Sequence, residues 1–178
     1  MSRQPTAEAE DVIVRPARTT DVRAIRDLID RYSSDGRLLS KATVTLFEDV
    51  PEFLVAELDG NVVGCGAIHV MWEDLAEVRT VAVTPTLVGR GIGTLLLTAL
   101  MERARELGVK KVFCLTFMVK FFSSHGFVEI DETPVDPAVY AQLLQSYDEG
   151  VAEFLGLERV KPNTLGNHRM LATLPQER

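Results

Sequence analysis

The stretch Glu77-Val-Arg-Thr-Val-Ala-Val-Thr-Pro85 runs almost at once into Val88-Gly-Arg-Gly-Ile-Gly93 and then into a long apolar-faced segment. Val81, Ala82 and Val83 suit an extended chain, and Pro85 stops the ladder because it has no N–H to donate. Ile92, Leu95, Leu96, Ala99, Leu100, Ala104 and Leu107 recur at helical spacing, which predicts a helix over 92–107. Between strand and helix, Gly89, Gly91 and Gly93 leave main-chain amides uncovered by side chains. Unsatisfied N–H groups and the helix dipole both favour an anion at such a helix start. The segment Val88, Gly89, Arg90, Gly91, Ile92, Gly93, Thr94 is therefore predicted to grip a pyrophosphate, with Arg90 as the nearest cation.

Spacing narrows the choice of pyrophosphate. A dinucleotide fold would need a third glycine at Thr94 and an acid about twenty residues on, on a second strand. Position 94 is threonine, and the strand expected at Val112 to Thr116 carries no acid. A P-loop would need Gly-Lys-Ser/Thr, which the chain lacks.

The 178 residues suit one domain with a substantial core, with residues 1–11 as a disordered polar tail and 12–178 as the domain. No apolar run approaches a membrane span and no signal-peptide core follows the start, so a cytoplasmic protein without membrane contact is expected. A net charge of −7 argues against a nucleic-acid binder. Cys65 and Cys114 lack a Cys or His at ligand spacing, so both are expected as buried free thiols and no metal is expected.

Further elements follow from pattern. Ile13 to Arg15 reads as a strand, and Thr20 as the cap of a helix with Val22, Ile25, Leu28 and Ile29 on one face. A helix is expected over Thr43 to Val50, and strands over Phe53 to Leu58 and Val62 to Val70 joined by the turn Asp59-Gly60-Asn61. A strand over 75–83 follows. After the long helix come a strand at Val112 to Thr116, a helix at Val119 to Ser124, a strand at Phe127 to Ile130 and a helix at Pro137 to Gln145. Residues 146–168 are expected to be mostly irregular, before a last strand at Met170 to Leu174.

Strand alternation puts Glu77, Arg79, Val81 and Val83 on one side. An acid and a base two apart, leading to an anion-binding turn, is not core composition, since such groups are rarely buried unless paired. Two readings stay open: a cross-strand ion pair on an exposed face, or a Glu77 that takes a proton from an ammonium beside an Arg79 that forks onto a carboxylate.

The strand ending V-x-V-x-P, followed by a glycine turn of the form x-x-G-x-G, resembles the acetyl-CoA signature of the GNAT acetyltransferase superfamily, with Val88 where the family usually has Gln or Arg. The resemblance extends from about Val12 to Leu174. It implies an α/β fold, a mixed and mostly antiparallel central sheet flanked by helices. It also implies acetyl-CoA as co-substrate, Glu77 as general base, and main-chain pairing of Val81, Ala82 and Val83 with the pantetheine arm. Many members place a tyrosine in F-Y-x-x-x-G-F to protonate the departing thiolate. Here Phe121-Phe-Ser-Ser-His-Gly-Phe127 puts Phe122 at that position, leaving Ser123, a water or unaided thiolate departure, while His125 reads as a surface histidine at a helix end.

A narrower resemblance, to short single-domain N-acetylglutamate synthases, is carried by Val63-Gly-Cys-Gly-Ala-Ile-His69, Asp74 to Val83, Phe121-Phe122, and Lys161-Pro-Asn-Thr-Leu-Gly-Asn167 before Arg169. It implies acetylation of the α-amino group of L-glutamate, or of L-glutamine, as the first step of arginine biosynthesis, and a homodimer at the family level. The substrate's carboxylates call for cations and amides, and the candidates are Arg79, Lys120, Lys161, Asn163 and Arg169. The rival expectations are a GNAT enzyme for another amine and a non-catalytic acetyl-CoA or metabolite sensor.

Overall fold

The computed structural model describes residues 11–38, 41–156 and 167–175. The expected N-terminal tail falls almost wholly outside the described residues, as do Lys161 and Asn163. The elements in chain order are β1 (Ile13–Pro16), α1 (Val22–Ser33), α2 (Thr43–Glu48), β2 (Phe53–Leu58), β3 (Asn61–Trp72), β4 (Leu75–Val83), α3 (Ile92–Glu106), β5 (Lys111–Thr116), α4 (Val119–Ser123), β6 (Val128–Glu129), α5 (Pro137–Leu143), α6 (Glu149–Phe154) and β7 (His168–Thr173). The sheet has the order β1-β2-β3-β4-β5-β7-β6. β1 and β2, β2 and β3, β5 and β7, and β6 and β7 pair antiparallel, whereas β4 and β5 run parallel through Leu75–Glu77 only. The mixed α/β architecture expected from the sequence is the one observed.

By contacts the chain divides into two compact units, residues 1–68 with 78–103, and residues 69–77 with 104–178, so that β3 and β4 each contribute to both. In the first unit, α1 buries Val22, Ile25, Leu28 and Ile29 against Phe53, Val55, Cys65, Ala67 and Ala82. The β2–β3 turn has Asp59 at φ 51 and Gly60 at φ 77, the two left-handed residues that a tight hairpin matched to strand twist requires. α3 stops in a Schellman arrangement: Gly108, at φ 83, donates to the Arg105 carbonyl and Val109 donates to that of Ala104.

Asp21, not the expected Thr20, stands at the N-cap position of α1, and its side chain makes no bond to the helix's own amides. A short 3₁₀ turn spans Thr19–Asp21, and the Asp21 carboxylate accepts from the Arg18 N–H at 2.7 Å. The same carboxylate takes two bonds from the Arg15 guanidinium, 2.8 and 3.0 Å, whose Nε donates to Glu57 at 2.7 Å. Arg15 first, and the Arg18 amide after it, hold the Asp21 carboxyl below the usual carboxylate range against the opposing effect of burial. Asp21→Ala removes the charge-assisted bonds from Arg15 and the bond from the Arg18 amide, while Arg15 keeps Glu57, so it should cost about 2 kcal/mol, a fall in Tm of about 6 °C at pH 7. Because the folded-state value is depressed, this contribution is present above the unfolded value near ~3.9 and is lost as pH falls through the folded one. Melts of both proteins should therefore converge under strongly acid conditions.

In the second unit, Met71, Leu75, Phe113, Leu143, Val151, Phe154 and Leu155 form the core. α6 lies inside the stretch expected to be irregular. It forms because the Asp148 side chain accepts from the Val151 N–H at 3.0 Å, and because Val151, Ala152, Phe154 and Leu155 are then all buried at helical spacing. β7 begins at His168, two positions before the expected strand.

Candidate active site

β4 carries the candidate residues of both units. In the first unit, the pleat of β4 is interrupted at Thr80, which sits at φ 59. A β-branched residue in the left-handed region is a true outlier, and such strain concentrates at functional positions. Its carbonyl accepts from the Cys65 thiol at 3.5 Å. A face count taken straight through from Glu77 to Val83 therefore fails at this residue. Beyond it the Tyr32 hydroxyl donates to the Val83 carbonyl, and Thr84 N–H donates to Val63 O at 2.7 Å, which fixes the end of the strand. Ala82 is buried, while Val81 and Val83 are half-buried.

Two glycines in β3 let α3 approach this segment closely. A Cβ on Gly64 would lie 2.9 Å from Leu96 Cδ1 and 3.2 Å from the Ala82 carbonyl. One on Gly66 would lie 2.7 Å from Leu100 Cδ1 and 3.3 Å from Val81 Cγ2. After Pro85 a 3₁₀ turn, Pro85–Leu87, leads to Gly89 at φ 85 and Gly91 at φ 90. α3 begins at Ile92, and its first turn is closed by the Leu95 N–H on the Gly91 carbonyl at 3.1 Å. The amides of Ile92, Gly93 and Thr94 precede any intrahelical acceptor, as the first amides of every helix do. Ile92, Leu96 and Leu100 are buried and hold the helix start in place. Val88 and Gly89 are exposed, Arg90 is half-buried, and open space surrounds the position of a Gly89 Cβ. The expected anion-binding turn is thus a left-handed glycine loop feeding a fifteen-residue helix.

In the second unit, Glu77 is only 6% exposed and is one of few buried charged residues described. It pairs with Phe113 in β5, which in turn pairs with Leu171 in β7. Cross-strand partners share a face of the sheet, so Glu77 stands on the Phe113 side, the side packed by Phe154 of α6 with ring centroids 5.0 Å apart. Arg169 of β7 reaches the same surroundings, with Cζ 5.9 Å from the Phe113 ring centre. Its Nη1 donates to Asp131 O at 3.2 Å and its Nη2 to the Phe154 carbonyl, while Nε is buried without a hydrogen-bond partner among the described residues. Burial lowers the basicity of this guanidinium, opposed by the charges of Asp131 and Glu153.

Glu153, on α6, was not among the residues expected from the sequence. Its carboxyl is pushed up to about 7, first by burial and then by the negative charges of Glu77 and Glu149, with Arg169 opposing. Its Oε1 is buried and has no hydrogen-bond partner among the described residues. The signal that could have found it is Asp148, a capping residue one position before an acid-rich helical run.

The remaining candidates fall as follows. Arg79 is half-buried on β4, and Lys120 is exposed on α4. Phe122 is buried against Phe121 and Phe127, with ring centroids 5.2 Å away in each case, so the position holds no proton donor. The His125 ring is held by the Phe121 carbonyl at 2.8 Å and by Ser124 Oγ at 3.1 Å, which accounts for it as a local fastening. His69 faces Asp148 at 3.7 Å, and His168 bonds to Glu129. Trp72 packs on the second unit's core. Both cysteines are buried free thiols. Burial pushes Cys65 up to about 12 and raises Cys114 as well, helped there by Glu77, so neither offers a thiolate nucleophile at neutral pH. Among the described residues there is no metal-binding cluster, and no helix is long and apolar enough to cross a membrane.

Known proteins bear on this geometry. The Acetyltransferase (GNAT) family matches residues 22–127. An amino-acid acetyltransferase of Mycobacterium tuberculosis is 54% identical over 165 residues, covering 91% of this chain and 94% of that protein. The amino-acid acetyltransferase of Aeromonas salmonicida is 32% identical over 126 residues, 68% of this chain but 28% of the longer protein. The crystal structure of Rv2747 from M. tuberculosis in complex with CoA and NLQ superposes with a TM-score of 0.88 at 54% identity, covering 92% of this chain and 99% of that one. An N-acetylglutamate synthase from Neisseria gonorrhoeae gives a TM-score of 0.77 at 24% identity, covering 93% of this chain and 35% of that one, a likeness of fold alone. With a left-handed glycine turn at the head of α3 and a family match across more than half its length, this chain belongs to the GNAT acetyltransferase family.

Proposed function

We propose that the chain transfers the acetyl group of acetyl-CoA to the α-amino group of L-glutamate, or of L-glutamine, as a short N-acetylglutamate synthase in the first step of arginine biosynthesis. The observation that carries the reading is β4 itself, which holds a buried carboxylate, Glu77, and a cation, Arg79, upstream of the glycine turn. The M. tuberculosis relative of similar length, named as an amino-acid acetyltransferase, supports it. So does the CoA in the Rv2747 structure.

In this reading the amides and glycines of Val88 to Thr94 hold the pyrophosphate, and main-chain groups of Val81, Ala82 and Val83 hold the pantetheine arm. Glu77, directly or through water, takes a proton from the substrate ammonium. The freed amine attacks the thioester carbon, a main-chain amide of β4 stabilises the developing oxyanion, and CoA leaves. Phe122 supplies no proton, so the sulfur departs as thiolate or takes a proton from water; a thiol of ordinary pKa near ~8.5 permits this. No acyl-cysteine is formed. Arg79 and Arg169, with Lys120, Lys161 and Asn163, receive the carboxylates. The enzyme works in the cytoplasm, as a homodimer and without a metal.

A charge-assisted bond to a carboxylate is worth about 1.5–3 kcal/mol. Arg79→Gln should therefore raise KM for glutamate by roughly 10- to 100-fold and leave KM for acetyl-CoA near the wild-type value. Mass spectrometry should find the acetyl group on the α-nitrogen. An unchanged glutamate KM would remove Arg79 from the substrate site.

A further inference from the structure

We propose that Tyr32 is a positioning residue for the pantetheine arm of CoA: its hydroxyl holds the Val83 carbonyl on the edge of β4 along which that arm lies. The inference rests on the reading of Val81 to Val83 as the main chain that pairs with the arm. A trans peptide sets its N–H and its C=O on opposite sides. The Thr84 N–H donates to the Val63 carbonyl of β3 at 2.7 Å, and no peptide bond among the described residues is cis. The Val83 carbonyl, the other half of the same peptide, therefore points away from β3. That is the edge on which β4 pairs with β5, and the pairing ends at Glu77. An extended residue presents its own N–H on the same edge as its carbonyl. Val83 thus offers one donor and one acceptor there, which is what a chain of amides laid along the strand requires.

Tyr32 reaches this edge from α1. Its hydroxyl donates to the Val83 carbonyl, and its half-buried ring packs on the core of the first unit, which includes Ala82. The loop after α1 holds the same residue from the other side. Arg37 Cζ lies 4.7 Å from the centre of the Tyr32 ring, and the Arg37 and Leu38 amides donate to the Tyr32 carbonyl at 3.1 and 3.3 Å. Arg37 is itself paired with Asp35 at 2.6 Å. A hydroxyl fixed in this way is not a mobile competitor for the carbonyl. It takes one of the two lone pairs of Val83 O and leaves the other for a pantetheine N–H. What it supplies is orientation. β4 is interrupted at Thr80, at φ 59, so the earlier part of the strand does not set the plane of the Val83 peptide; the bonds to Val63 and Tyr32 do.

Calorimetric titration of wild type and Tyr32→Phe tests this, with two ligands: CoA, and 3′-phospho-ADP, the same nucleotide without the pantetheine arm. The phenylalanine keeps the ring and its packing and loses only the hydroxyl, and a thermal melt checks that the variant is folded. CoA should bind roughly 3- to 10-fold more weakly to Tyr32→Phe, and 3′-phospho-ADP should bind as it does to wild type. KM for acetyl-CoA should rise with the CoA dissociation constant, and KM for the amine should not. A general loosening of the fold would weaken both ligands alike. Equal affinity of the two proteins for CoA, or equal weakening of both ligands, overturns the role of Tyr32 and leaves the β4 reading standing. Wild-type binding of CoA no tighter than that of 3′-phospho-ADP overturns the β4 reading, and the role of Tyr32 with it.

Discussion

Glu77→Gln should lower kcat by roughly 10²–10⁴-fold, the usual contribution of a positioned general base, while acetyl-CoA binds as in wild type. The substitution keeps the shape of a side chain that is 6% exposed, so the fold has no cavity to absorb. The variant should therefore keep the wild-type fold while losing turnover, which separates a loss of chemistry from a loss of structure. Pre-steady-state and steady-state release of CoA, with a thermal melt alongside, read both quantities.

The second large effect is expected at Gly91. Its φ of 90 is open to glycine and strained for any side-chain-bearing residue. Gly91→Ala should cost about 1–2 kcal/mol through the backbone, a fall of about 4 °C in Tm. The more informative loss is in affinity. Turning the chain away from the left-handed region redirects the amides at the head of α3, and bonds to a charged partner are worth about 1.5–3 kcal/mol each. Acetyl-CoA should then bind roughly 10- to 100-fold more weakly, with kcat at saturation little changed. Calorimetric titration with CoA separates this from a fault in the amine site.

Much of the scaffold was legible because its signals are local. The strand Phe53–Leu58, its hairpin turn and the strand Leu75–Val83 stand where pattern and turn chemistry placed them. The glycine turn and α3 did too, since three glycines before a helical repeat admit few other conformations. α6 was missed because its six residues are too few for periodicity to show, and its existence depends on the Asp148 cap and on Phe154 finding Phe113. The left-handed Thr80 had no sequence signal, because a β-branched residue is the last to be expected there.

The site divides the same way. Position on β4 could be read from the strand alone, but whether Glu77 was a surface ion-pair partner or a buried carboxylate depended on what β5, β7 and α6 bring to it. Arg169 and Glu153 arrive through pairing and packing with residues distant in sequence. The burial of Arg169 Nε and Glu153 Oε1, unpartnered among the described residues, is a property of the folded chain.

The most direct measurement is release of CoA from acetyl-CoA by the purified chain, across L-glutamate, L-glutamine, other amino acids, spermidine and a lysine peptide. Turnover confined to glutamate and glutamine, and lost in Glu77→Gln, is the predicted result. Turnover with spermidine or the lysine peptide in place of the amino acids would contradict the anionic substrate assigned to Arg79. Binding of acetyl-CoA with no turnover on any amine would contradict catalysis itself.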